Sequence, residues 1–186
     1  MSLYDRKTTL ALLHEHTLTD SLRKHAYAVE AAMRAGAERV GGDVDSWSAV
    51  GLLHDFDYEL YPDAPDHPMK GAEILRERGY PEEFVRTILS HAAYTGVPRE
   101  TECAQWLFAV DELCGFCMAC AMVQPDRQIA QVKVKSVKKK LKKKDFAAKV
   151  NREEITEGAA DLGLDIEDVI EHVLGALVGV STELGL

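Results

Sequence analysis

Leu22, Ala26, Val29 and Met33 recur at steps of three and four, drawing one apolar stripe that predicts a helix over about Thr19 to Ala37. Gly41-Gly42 closes it. Asp45 then reads as the N-cap of a helix through Trp47, Val50 and Leu53 that finishes on His54 and Asp55. Pro62, Pro65 and Pro68 mark a loop. Beyond it the pattern predicts a helix from about Pro68 to Arg78, closed by Gly79, and another opened by Pro81 with Glu82 and Glu83 in its first turn, where the helix dipole favours acid. Thr101 to about Val123 reads as a long buried helix stopped by Pro125. A lysine-rich helix follows, then one capped by Asn151 and ended near Gly163, and a last from Asp165 to about Glu183. No strand alternation and no internal repeat is visible, so the expected class is all-α.

Composition narrows the setting. With 186 residues, 46% of them hydrophobic, the chain can build one domain with a full core. No apolar run approaches the roughly 20 residues of a membrane span, and MSLYDRKTTLALLHEH mixes charges among its leucines, so a cytoplasmic protein without a membrane partner is expected. The net charge is −9, and setting aside the eight lysines between Lys133 and Lys144 leaves −17 elsewhere. An acidic exterior argues against nucleic acid as a general partner. The segment KVKSVKKKLKKK has Val134, Val137 and Leu141 on one face and reads chiefly as a solvated helix, which could also draw anionic substrates or touch nucleic acid or anionic lipid. Cys114, Cys117 and Cys120 advance 300° per step on one helix, which takes Cys120 about 180° from Asp111. With Cys103 eleven positions before Cys114, the cysteines are expected to be reduced core residues.

The polar residues on apolar faces change the picture most. His25 shares the face of Leu22 and Val29, and His91 follows Ile88 by three and Phe84 by seven. Asp111 falls on the apolar face marked by Leu107, Phe108 and Met118. Burying an ionised carboxylate costs several kcal/mol, roughly, unless it is compensated. No Arg or Lys occurs from Gln105 to Ala121. A lone inward histidine is more often a hydrogen-bonded core residue. Several of them, with two carboxylates on separate helices, point instead to a shared divalent metal.

His25 in LRKHAYAVE, the His54-Asp55 pair in LLHDFDYE and Asp111 in FAVDELCGF stand in the order His, His-Asp, Asp. In this the chain resembles the HD superfamily of metal-dependent phosphohydrolases, over about Thr17 to Phe116. HPMKGAEIL and ILSHA are similar to the HDIG-type variant, although Phe56-Asp57 replaces the usual glycine and His91-Ala92 the usual His-His. VKVKSVKKKLKKKDFAAKVNREEI resembles the tail of a group of small bacterial HD-domain hydrolases.

The resemblance implies an HD-domain helical bundle over residues 1–125, with the helices of 126–186 packed on it. His25, His54, Asp55, His67, His91 and Asp111 would hold one or two divalent ions (Mn, Fe, Zn, Mg or Co), Asp55 bridging. The implied activity is hydrolysis of a nucleotide or small phosphate ester by a metal-activated water, with Asp55 central. Asp57 and Glu59 could orient a water or leaving group, or only cap the loop. Lys70, Lys24 and Arg23 could contact phosphate, or be exposed neighbours. Four His and two Asp are also the set of HD-fold di-iron oxygenases, and a non-catalytic metal- or nucleotide-binding module is a third reading. Substrate identity and oligomeric state leave no signature.

Overall fold

A computed structural model describes residues 2–186. Among them are ten α-helices, two short 3-10 turns and no strand. The helices are α1 (Arg6–His16), α2 (Asp20–Val40), α3 (Val44–Leu53), α4 (Asp66–Glu77), α5 (Glu82–Leu89), α6 (Glu102–Met122), α7 (Val134–Leu141), α8 (Arg152–Asp161), α9 (Ile166–Gly179) and α10 (Ser181–Leu184).

The all-α class expected from the sequence is what forms. α6 is its axis, packed by α2, α8 and α9, while α3 lies along α2 and α1. α2 and α3 approach closely because Gly51 has no side chain: a Cβ there would stand 2.8 Å from the Val29 carbonyl oxygen. The C-terminal helices pack on the same core, with His172 Nε2 meeting the Ala32 carbonyl at 2.9 Å and its ring stacked obliquely on Trp106. α6 does have the length and mean hydropathy (1.3) of a membrane span, contrary to the sequence expectation. Its apolar surface is spent on neighbouring helices, 67% of that stretch being buried.

Caps explain most boundaries. Gly41 ends α2 in the left-handed conformation (φ 76). Asp43, not Asp45, caps α3, its carboxylate accepting from Asp45 N–H and Ser46 N–H. Thr101 caps α6 and Asn151 caps α8. α1 was not expected: Asp5 caps it, and Leu12 and Leu13 bury its inner side. α4 starts at Asp66 rather than Pro68, with His67 at ψ 135, since a residue before proline is kept out of the helical region. The last predicted helix is two, interrupted at Val180 (φ −120, ψ 17).

The lysine segment buries Val137 and exposes most of its lysines, and Lys138 pairs with Glu167. The chain beyond it is tied down by Arg152, whose guanidinium donates to the carbonyls of Leu141, Lys143, Phe146, Ala147 and Val150. All four cysteines are free thiols, and Cys114, Cys117 and Cys120 are buried.

Candidate metal centre

α3 ends in the core, so its last turn delivers His54 and Asp55 inward. His54 is fully buried, and its Nδ1 lies 2.8 Å from the Gly51 carbonyl oxygen. A carbonyl can only accept, so Nδ1 carries the proton and Nε2 presents its lone pair. That lone pair faces Asp111 Oδ1 at 3.3 Å, Asp55 Oδ2 at 3.4 Å and His25 Nε2 at 3.3 Å. His25, from α2, lies 3.0 Å from Asp111 Oδ1 and 3.9 Å from Asp55 Oδ2.

The other oxygen of Asp55 faces a second group. His67 Nε2 and His91 Nε2 each stand 3.2 Å from Asp55 Oδ1. His91 Nδ1 is held by the Ile88 carbonyl, and His67 Nδ1 by Asp57 Oδ1 at 2.8 Å. Three imidazoles are thus locked with Nδ1–H outward and Nε2 turned toward one carboxylate.

Lone pairs facing lone pairs need a cation between them. Without a metal, protons serve. Burial alone would lower the His54 pKa, but the charges of Asp55 and Asp111 outweigh it and raise it well above the ordinary value. His67 is likewise disfavoured by burial, yet hydrogen bonds to Asp55 and Asp57 raise it to about 9. Burial pushes Asp55 and Asp111 upward, and the surrounding histidines, His54 foremost, more than reverse this, holding both below the usual carboxylate range. A divalent ion could take the place of these protons, since bonds of about 2.1 Å put neighbouring donors roughly 3.0 to 3.4 Å apart. The observed spacings match that range except for the 3.9 Å of His25 and Asp55. Two groups could each hold an ion, His25, His54, Asp55 and Asp111 on one side and Asp55, His67 and His91 on the other.

The structure therefore brings together all six side chains expected from the sequence as ligands, whose donors come from α2, α3 and its end, the start of α4, the end of α5, and α6. It corrects other expectations. Asp57 is fully buried and does not line the opening: Oδ1 accepts from His67 and Oδ2 from Gly71 N–H at 2.8 Å, so both its oxygens are used in holding His67 and Gly71. Gly71 is required there, because a Cβ would meet Asp57 Cγ at 2.8 Å. Lys70 lies outside the cavity, its ammonium 2.9 Å from Glu73, since one step along a helix turns a side chain by about 100°. Lys24 pairs with Asp20, and Arg23 donates to the Thr17 and His14 carbonyls. Glu59 caps α2 from outside, accepting from Leu18 N–H and Thr19 N–H.

A cavity of about 420 Å³ opens onto the ligands. Its outer wall holds residues that sequence reasoning missed: Tyr58, Tyr94, Glu112 and Glu154. Burial, followed by the charge of Asp111, pushes the Glu112 carboxyl up to about 7. Only Glu112, adjacent to Asp111, carried any local signal.

The family model of the HD domain matches residues 22–114, half of the chain and the span that contains all six side chains. Neither the curated proteins nor the solved structures yielded a match.

Proposed function

The chain belongs to the HD-domain family, and from that premise we propose that it is a metal-dependent phosphohydrolase acting on a nucleotide or small phosphate ester. The observation that carries this reading is the convergence on Asp55: one oxygen faces His54 and His25, the other faces His67 and His91, and Asp111 closes the first group. Bound there, divalent ions would supply Lewis acidity at phosphate oxygens and lower the pKa of a water.

The chain's own work is orientation. The Gly51 and Ile88 carbonyls and Asp57 hold three imidazoles in the ligating tautomer before any ion arrives. His54 and its chain neighbours Leu53 and Phe56 are buried, so that side of the ligand group is closed to solvent. The open side leaves room for a small ester. In the reaction, the ester P–O bond breaks, the oxygen of water joins phosphorus, and the departing alcohol gains a proton.

The test is hydrolysis of a panel of phosphate esters by the manganese-loaded protein, with and without chelator, beside Asp111→Ala. Chelator-sensitive turnover, lost in a variant that still folds, supports the reading. Loss of the fold in that variant would mark a structural metal site instead. The donor set of four imidazoles and two carboxylates also supports a second reading, a di-iron oxygenase. Iron in the purified protein and dioxygen uptake without phosphate release would favour it.

A further inference from the structure

Charge is divided unevenly over this chain: eight lysines fall between Lys133 and Lys144, and the remainder carries −17. Lys135, Lys138 and Lys139 on α7, with Lys142 at its end, occupy an arc of about 100° on one side of the helix. Val137 lies on the opposite side, fully buried, with Val134 and Leu141 packed against the same core. The lysine side is thereby turned outward. Lys133, Lys135, Lys139, Lys142, Lys143 and Lys144 are exposed, and among the described residues Lys138 is the only one of the eight in an ion pair, with Glu167.

The fold gains little from this grouping. Like charges three and four positions apart on a helix repel. The helix dipole favours the lysines of the last turn, but Lys133 and Lys135 stand at the N-terminal end, where it opposes a cation and where α7 has no acidic residue. A negative surface outside the chain would relieve both repulsions.

The groups present narrow what that surface is. Residues 133–144 include no Arg, whose planar fork grips single phosphates, and no aromatic ring on which a base could stack. The ammoniums stand on the convex side of a helix, about 10 Å along its axis from Lys135 to Lys142, and not around a cleft. Such diffuse charge suits an array of anionic headgroups. The apolar side of α7 is held in the core, so contact is made by charge without insertion. The negative remainder orients the molecule, because attraction to a charged surface acts within about 10 Å and is felt only by the face presented to it.

We propose that the lysine side of α7 docks the protein on an anionic phospholipid surface. This differs from the sequence expectation, which weighed only segments able to span: here the bilayer is touched and not crossed.

The full chain is sedimented with vesicles of phosphatidylglycerol and phosphatidylcholine in equal parts, and with vesicles of phosphatidylcholine alone. Binding to the anionic vesicles only is expected, falling at least tenfold as salt rises from about 0.1 to about 0.5 M. Lys135→Gln/Lys139→Gln/Lys142→Gln should weaken it about a hundredfold with an unchanged circular dichroism spectrum. Lys7→Gln/Lys24→Gln/Lys70→Gln, which removes the same charge elsewhere, should stay within about twofold. If the first triple variant fails to fold, Lys135→Gln/Lys142→Gln must still lose about tenfold. No binding to anionic vesicles, equal binding to neutral ones, or equal losses in the two triple variants would overturn the inference. So would binding of duplex DNA, or salt-sensitive self-association, that depends on the same lysines in a protein that ignores vesicles.

Discussion

Asp57→Asn separates the two halves of the centre. Asp57 spends one oxygen on His67 Nδ1–H and the other on Gly71 N–H, both at 2.8 Å, in a fully buried place. An amide has one acceptor oxygen and cannot serve both. If that oxygen keeps Gly71, the NH₂ faces His67 and forces the proton onto Nε2, which removes the lone pair turned toward Asp55. If it keeps His67, the NH₂ confronts the Gly71 N–H, leaving buried donors unsatisfied at a cost of about 1–3 kcal/mol. The first arrangement avoids that cost, so it is the one expected to form; His67 then loses its ligating tautomer, and loss of such a supporting partner weakens metal binding by roughly 10–100-fold. Metal titration by calorimetry, with elemental analysis after dialysis, should show one ion per chain retained by His25, His54, Asp55 and Asp111 and the other weakened by that factor. Two ions bound with wild-type affinities by Asp57→Asn would refute the positioning role.

The metal-free protein should lose stability as pH rises. The His67 pKa is raised to about 9 in the folded state, so its contribution is complete below about 6.5 and is lost as pH climbs through 9. A shift of this size corresponds to about 3 kcal/mol, an order-of-magnitude figure. Thermal melts of chelated protein from pH 6 to 9.5 should show the fall, and melts with manganese should be flatter; a flat chelated profile would contradict the assignment. Glu112 is also raised, to about 7, so it opposes folding increasingly as pH rises from 4.5 through 7, and Glu112→Gln should melt higher than wild type at pH 8 but not at pH 4; equal melts at pH 8 would count against this. Lys70→Ala should keep kcat/KM within about twofold, because the ammonium is exposed and paired with Glu73; a tenfold loss would return Lys70 to the site.

Periodicity made much of this legible. The stripe of α2 and the apolar run of α6 placed His25 and Asp111 on inward faces, and a His-Asp pair at the end of a buried helix was conspicuous in itself. The periodicity of α5, carried just past its end, reached His91, but His67 was different: its backbone is not helical, so only resemblance suggested it and only the local geometry turns it to Asp55. For Lys70 and Asp57 the sequence left two roles open, because proximity in sequence says nothing of direction: Asp57 holds His67 and Lys70 pairs with Glu73. Asp43 and Asp45 are equally good caps by residue type, and the choice depends on where the chain leaves Gly42. Glu112 and Glu154 line one cavity from α6 and α8, a juxtaposition of distant segments that no local pattern encodes.

Asp55 is the side chain on which both donor groups depend, so its removal is the most direct test. Elemental analysis of wild type and Asp55→Ala, each incubated with excess manganese and dialysed, should find up to two ions per chain in the first and none in the second, with both folded by circular dichroism. Equal metal content in the two proteins, or a wild type that retains no ion, would contradict the account.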